Sequence, residues 1–144
     1  MEQIHASCVA IEGTGVLLCG PSGSGKSDLA LRLLDGGAQL IADDRTDLTC
    51  RDGGVWAASP AEIAGLIEVR GVGVLRLDTM DGIGLGLVID LVVAAAVDRH
   101  PEPRTCDLLG VQVPTLALFP FEASAPAKVR LAASMASGRI MRVP

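Results

Sequence analysis

The run Gly20-Pro21-Ser22-Gly23-Ser24-Gly25-Lys26-Ser27 constrains this chain more than any other feature, because it fills every defined position of the glycine-rich phosphate loop. Such a loop works only between a strand and a helix, and its flanks meet that demand. Val16 to Cys19 is a short apolar run suited to a strand. Leu29, Ala30, Leu33 and Leu34 recur at helical spacing between Lys26 and Leu34, and Asp35-Gly36-Gly37 supplies the stop. The glycines let successive backbone N–H groups turn inward around phosphates, and the helix N-terminus adds its positive dipole end. Lys26 is expected to reach the β- and γ-phosphates, and the Ser27 hydroxyl to ligate Mg²⁺. The motif therefore predicts a nucleoside triphosphate site, for ATP with Mg²⁺, running from Gly20 to Ser27. Only two lysines occur in the chain, and one holds the required position.

The rest of the chain reads as strand-rich. Ile4 to Ile11 and Val16 to Cys19 flank the turn residues Glu12-Gly13-Thr14-Gly15, so the chain opens with a hairpin. Gln39 to Ala42 reads as a buried strand ending at Asp43-Asp44. Thr46 to Arg51 and Val55 to Ala58 form a second hairpin about Asp52-Gly53-Gly54. A short helix is expected over Ala61 to Leu66, an extended segment over Ile67 to Leu77, and strands over Leu85 to Val93 and Val113 to Phe119. Pro101 and Pro103 enforce a loop between Arg99 and Arg104. Pro126 to Ser137 is helical, with Gly138 beyond its end. With strands outnumbering helices, the expected fold is one α/β domain over residues 1–144, with a mixed, strand-rich sheet and few helices.

Composition narrows the function classes. The 144 residues carry a formal net charge of −5, with the basic residues scattered singly, which removes the electrostatic footprint of a nucleic-acid binder. Only Trp56, Phe119 and Phe121 are aromatic, so a nucleotide base would find few rings to stack on. Cys8, Cys19, Cys50 and Cys106 show no Cys-x-x-Cys spacing and no nearby His pair; reduced, mostly buried thiols are expected, not a zinc or redox site. The N-terminus lacks the basic stretch and apolar core of a secretory signal. The longest apolar run, Leu85 to Val97, is broken by Gly86 and Asp90 and falls short of the roughly 20 residues that span a bilayer. A soluble, cytoplasmic protein is the expectation, with no nucleic-acid or membrane partner.

A phosphate loop needs a carboxylate on the metal side, and Asp43 and Asp44 lie at the end of the next strand. Side chains alternate along a strand, so only one of the pair is expected to face the phosphates while the other caps or orients. Glu68 and Arg70 flank Val69 on an expected strand and would share one face. Together, His5 at the first strand, the loop GPSGSGKS, the run LIADD ending at Asp44, and LIEVRGVGVL from Leu66 to Leu75 resemble the C-terminal catalytic domain of HPr kinase/phosphorylase. The likeness runs in order from His5 to about Leu77, and its most specific part is Glu-Val-Arg-Gly-x-Gly.

The resemblance implies transfer of the γ-phosphoryl group of ATP to a serine of an HPr-like phosphocarrier protein of a phosphotransferase system. It matches Asp44 to the family's proton acceptor, with Asp43 as its neighbour, Lys26 to the group that stabilises the transferring phosphoryl, His5 to a catalytic histidine, and Arg99 to a family arginine. Ser27 and Glu68 match the metal ligands. It further implies a homo-oligomer, hexameric in the family, and a short form comprising the kinase core. The region of Phe119 to Ser124 lacks the glycine and arginine that accompany strong phosphorylase activity, so the reverse reaction is not expected. Two other readings stay open on the residues alone: a small-molecule kinase with Arg99 and Arg104 in a lid, and a non-catalytic ATP-binding module that regulates a phosphotransfer or two-component system.

Overall fold

A computed structural model describes all residues from Met1 to Pro144. The chain forms β1 (Glu2–Ile4), β2 (Ala6–Ile11), β3 (Thr14–Cys19), α1 (Lys26–Asp35), β4 (Gln39–Ala42), β5 (Thr46–Arg51) and β6 (Gly54–Ala58). Then follow β7 (Leu66–Val69), β8 (Gly73–Arg76), β9 (Ile83–Leu91), β10 (Arg104–Leu108), β11 (Val111–Leu118) and α2 (Ala125–Ala136). One sheet takes the order β1-β5-β6-β9-β3-β2-β4, with β11 paired to the far half of β9 and β10 to β11; β7 and β8 form a separate ribbon. This is the mixed, strand-rich α/β architecture the sequence leads one to expect.

The pleat of the central strands organises two cores. Alternation sends Val9, Ile11, Val16, Leu18, Leu87 and Ile89 to one face, where they meet Leu29, Ala30 and Leu33 of α1 and Val129, Ala132 and Ala133 of α2. The opposite set, Ala6, Cys8, Ala10, Leu17 and Val88, is closed over by Leu48, Val55, Ala57 and Ile83, so the sheet curls on itself. Being covered on both faces, β2 is buried throughout. The strand that ends in the phosphate loop, β3, lies between antiparallel β2 and parallel β9, and β11 runs parallel to β9 beyond it. The ends of β3, β9 and β11 therefore open on one edge of the sheet, the edge where ligands bind in parallel α/β arrangements.

Several local expectations change. The helix expected over Ala61 to Leu66 is a single 3₁₀ turn, Ala61–Ile63. The extended segment over Ile67 to Leu77 is a hairpin, because the chain reverses through Arg70, Gly71 and Val72: the Val72 N–H donates to the Val69 carbonyl at 2.9 Å, and Gly71 takes a φ of 88°. Arg70 thus sits in the turn and not on a strand face with Glu68. Strand β10 was masked by the prolines before it and forms through its pairing with β11. All four cysteines are free, but only Cys8 is fully buried, and Cys50 is exposed. No helix is long and apolar enough to cross a membrane.

The placement of α1, and hence of the loop before it, rests on Leu29 and Leu33, both fully buried. Leu29→Ala should lower unfolding free energy by about 2–5 kcal/mol through lost transfer energy and a residual cavity. Denaturant titration would show this as an earlier midpoint with an unchanged slope.

Candidate active site

At the end of β3 the backbone turns out of the sheet and re-enters as α1, whose first residue is Lys26. Gly23 and Gly25 take φ values of 82° and 99°, which a side chain tolerates poorly. A tight turn from the Ser24 N–H to the Pro21 carbonyl, 3.0 Å, closes the loop. Lys26 is buried, and its Nζ donates to the carbonyls of Gly20 at 2.6 Å and Pro21 at 3.0 Å. A buried ammonium held only by neutral carbonyls is poised for an anion. The N-cap of α1, Gly25, offers no side-chain cap, so the first-turn N–H groups remain for a ligand, and the buried Ser24 Oγ has no partner. These donors fit a triphosphate.

The two carboxylates lie just past the end of β4, in a turn that gives them different environments. Asp43 is 8% exposed, and its Oδ1 accepts from Ser27 Oγ at 2.8 Å and from Ser7 Oγ at 3.0 Å. Ser7 is fully buried and faces Asp43 because β2 and β4 pair antiparallel through Cys8 and Ala42. The same Ser7 hydroxyl oxygen accepts the Asp44 N–H at 3.2 Å. Asp44 is exposed and takes a φ of 70°, inside a tight turn in which the Arg45 N–H donates to the Asp43 carbonyl at 2.8 Å. The turn carries the chain away from β4 and leaves the Asp44 carboxylate free in solvent beside the loop. With Ser27 donating to Asp43, the lone pairs of its hydroxyl remain for a cation, the chemistry expected of an Mg²⁺ ligand.

His5 is exposed in the break between β1 and β2. Ala6 pairs with Cys19, so His5 stands level with the start of the phosphate loop. Glu68 is exposed on β7, opposite Val74. Its ribbon packs beside α1, with no hydrogen bond or ion pair joining Glu68 to Ser27. Arg99 is exposed in the segment after β9, on the rim of a groove of about 700 Å³ shared with α2 and the C-terminal residues. The structure thus joins Ser27, Asp43 and Ser7 in one hydrogen-bond network beside Lys26, which is held by the loop's own carbonyls, sets Asp44 and His5 at its edge, and leaves Glu68 and Arg99 outside it.

Sequence reasoning missed three residues here. Ser7 carried no signal, since its role appears only when β2 and β4 pair. Arg32 of α1 reaches across to the carbonyls of Pro120 and Glu122, and with them holds Phe121 against Gly25. Before the loop, burial pushes the Cys19 thiol up to about 12, helped by Asp90 and Cys106 and only partly offset by Lys26. Burial raises Cys8 and Cys106 as well. A neutral Cys19 adds no negative charge behind the phosphates.

The family model for the HPr serine kinase C-terminal domain matches residues 1–121. The chain is 38% identical over 120 residues to the HPr kinase/phosphorylase of Lactococcus lactis subsp. lactis (strain IL1403), covering 81% of this chain and 38% of that protein. It is 46% identical over 112 residues to the HPr kinase/phosphorylase of Streptococcus thermophilus, covering 75% of this chain and 36% of that protein. The chain therefore spans well under half the length of these curated relatives. Among solved structures, the Hpr(Ser) kinase/phosphatase from Coxiella burnetii superposes with a TM-score of 0.85 at 26% identity, covering 96% of this chain and 98% of that one.

Two outcomes test the site. Ser7→Ala, which strips Asp43 of a donor and leaves the Asp44 N–H without its acceptor, should cost about 1–3 kcal/mol in thermal or denaturant unfolding, and Ser7→Thr should recover most of it. At pH 8, well below the raised thiol values, a soluble disulfide reagent should modify exposed Cys50 rapidly and leave Cys8 and Cys19 untouched until the protein is unfolded.

Proposed function

The chain belongs to the HPr serine kinase C-terminal domain family, and from that membership we propose that it transfers the γ-phosphoryl group of ATP to a serine hydroxyl of an HPr-like phosphocarrier protein. The observation that carries this reading is the hydrogen bond from Ser27 of the phosphate loop to buried Asp43, with Asp44 exposed at the next position.

The phosphates of ATP lie against the loop N–H groups, and Lys26 leaves its two carbonyls to neutralise the β- and γ-phosphates. Asp44, reachable by an incoming protein, accepts the proton from the serine hydroxyl as its oxygen attacks the γ-phosphorus. The bond from that phosphorus to the β–γ bridging oxygen breaks, and ADP departs. The proton ends on Asp44, and the phosphoryl group on the serine. Ser27 and, on the family match, Glu68 would hold Mg²⁺, which when bound would supply charge neutralisation on the transferring group. Asp43 orients Ser27 through their hydrogen bond. His5 and Arg99 are assigned to the phosphates on the family match alone.

Phosphorylase and phosphatase appear in the relatives' names, and the segment Phe119 to Ser124 has neither glycine nor arginine, so the proposal extends to the forward reaction and leaves the reverse one outside it. A cytoplasmic homo-oligomer, hexameric by resemblance, belongs to the same reading. The exposed Val72 and Val74 of the β7–β8 hairpin support a surface that another copy would cover.

Incubation with γ-labelled ATP, Mg²⁺ and an HPr-type carrier should place label on the carrier, and none on a carrier whose acceptor serine is alanine. Asp44→Asn should slow transfer by at least about a hundredfold while nucleotide affinity holds, the scale of a lost general base. Full activity in that variant would remove Asp44 from the role.

A further inference from the structure

Two of the chain's three aromatic residues converge on the phosphate loop from the far end of the sequence. Phe121 follows β11, and its ring lies so close over Gly25 that a Cβ there would stand 2.9 Å from Cζ. Despite this contact the ring is 59% exposed. It is also held in place. Phe119 packs edge-on against it, with centroids 5.8 Å apart and planes at 74°. Arg32, itself paired with Asp28 at 3.1 Å, bonds the carbonyls on both sides of Phe121, those of Pro120 and Glu122, and Lys128 pairs with the Glu122 carboxylate. An exposed phenyl ring braced from three directions at the lip of a ligand loop is a preorganised apolar surface, not a mobile side chain.

Strand order gives it a direction. Across the sheet the sequence is β11-β9-β3-β2-β4, with the phosphate loop at the end of β3. Asp43 and Asp44 lie on the β4 flank, whereas Phe121 lies on the β11 flank. On the function proposed above, the γ-phosphate faces Asp44. The α-phosphate and nucleoside must then leave the loop towards the opposite flank, where the ring stands. We propose that the exposed face of Phe121 is the stacking platform for the purine base of the bound nucleotide. The shortage of aromatic residues is thereby offset by placement: a π-face meets any base without hydrogen-bond readout, and a purine offers the larger overlap.

Equilibrium binding of ATP and of inorganic tripolyphosphate, each with Mg²⁺, to the full chain and to Phe121→Ala and Phe121→Trp separates the possibilities. Phe121→Ala should weaken ATP roughly tenfold and leave tripolyphosphate unchanged, and Phe121→Trp should restore ATP affinity. Equal weakening of both ligands would mean that the ring only braces the loop, and unchanged ATP affinity would mean that the base lies elsewhere; either overturns the platform while the phosphate site stands. Binding of neither ligand to the unmodified chain would overturn the phosphate site and the platform together.

Discussion

A single carboxylate ties the site to the fold. Asp43 lies at the end of β4, takes hydrogen bonds from Ser7 of β2 and Ser27 of α1, and is almost fully buried. A buried carboxylate without partners would carry a heavy desolvation cost, so the two hydroxyls are conditions of its burial. Each donor comes from a different element, and the contact therefore fixes the first turn of α1 against the edge formed by β2 and β4. Because Ser7 also accepts the Asp44 N–H, the same contact sets the left-handed turn that exposes Asp44. Neighbouring carboxylates thereby acquire different environments, one enclosed by two hydroxyl donors, the other open to solvent.

The opposite flank depends on packing. Helix α2 buries Val129, Ala132 and Ala133 against the face that also receives α1, which brings the segment after β11 alongside the phosphate loop. Arg32 crosses from α1 to that segment's carbonyls, so the helix that begins at the phosphate loop also holds the residues on the loop's far side. The loop is braced by carboxylate chemistry on the β4 side and by an arginine and two phenyl rings on the β11 side.

What could be read in advance follows from the range of each interaction. The phosphate loop, α1, β4 and the acidic pair are local signals: eight motif residues, a helical repeat with its glycine stop, and a short apolar run, all within Gly20 to Asp44. The hairpin of β5 and β6 was legible from Asp52-Gly53-Gly54 for the same reason. By contrast, β9 becomes the parallel neighbour of β3 across more than sixty residues, and no pattern in either strand names the other. Strand β10 is polar and alternates poorly, so only the presence of β11 makes it a strand. The segment over Ile67 to Leu77 contains Gly71 and Gly73, both at positive φ, and there the backbone reverses. At the site, Lys26, Ser27 and the acidic pair were identifiable by motif, whereas Ser7 and Phe121 reach the loop's surroundings only through partners distant in sequence.

The central claim is that this loop and this carboxylate pair together receive ATP. The most direct measurement is a crystal structure of the chain with Mg²⁺ and a non-hydrolysable ATP analogue. Lys26 Nζ should then be transferred from the Gly20 and Pro21 carbonyls to the β- and γ-phosphates, Ser27 should still be bonded to Asp43, and the Asp44 carboxylate should face the γ-phosphorus. A nucleotide bound away from the loop, with Lys26 still on its own carbonyls, would contradict it.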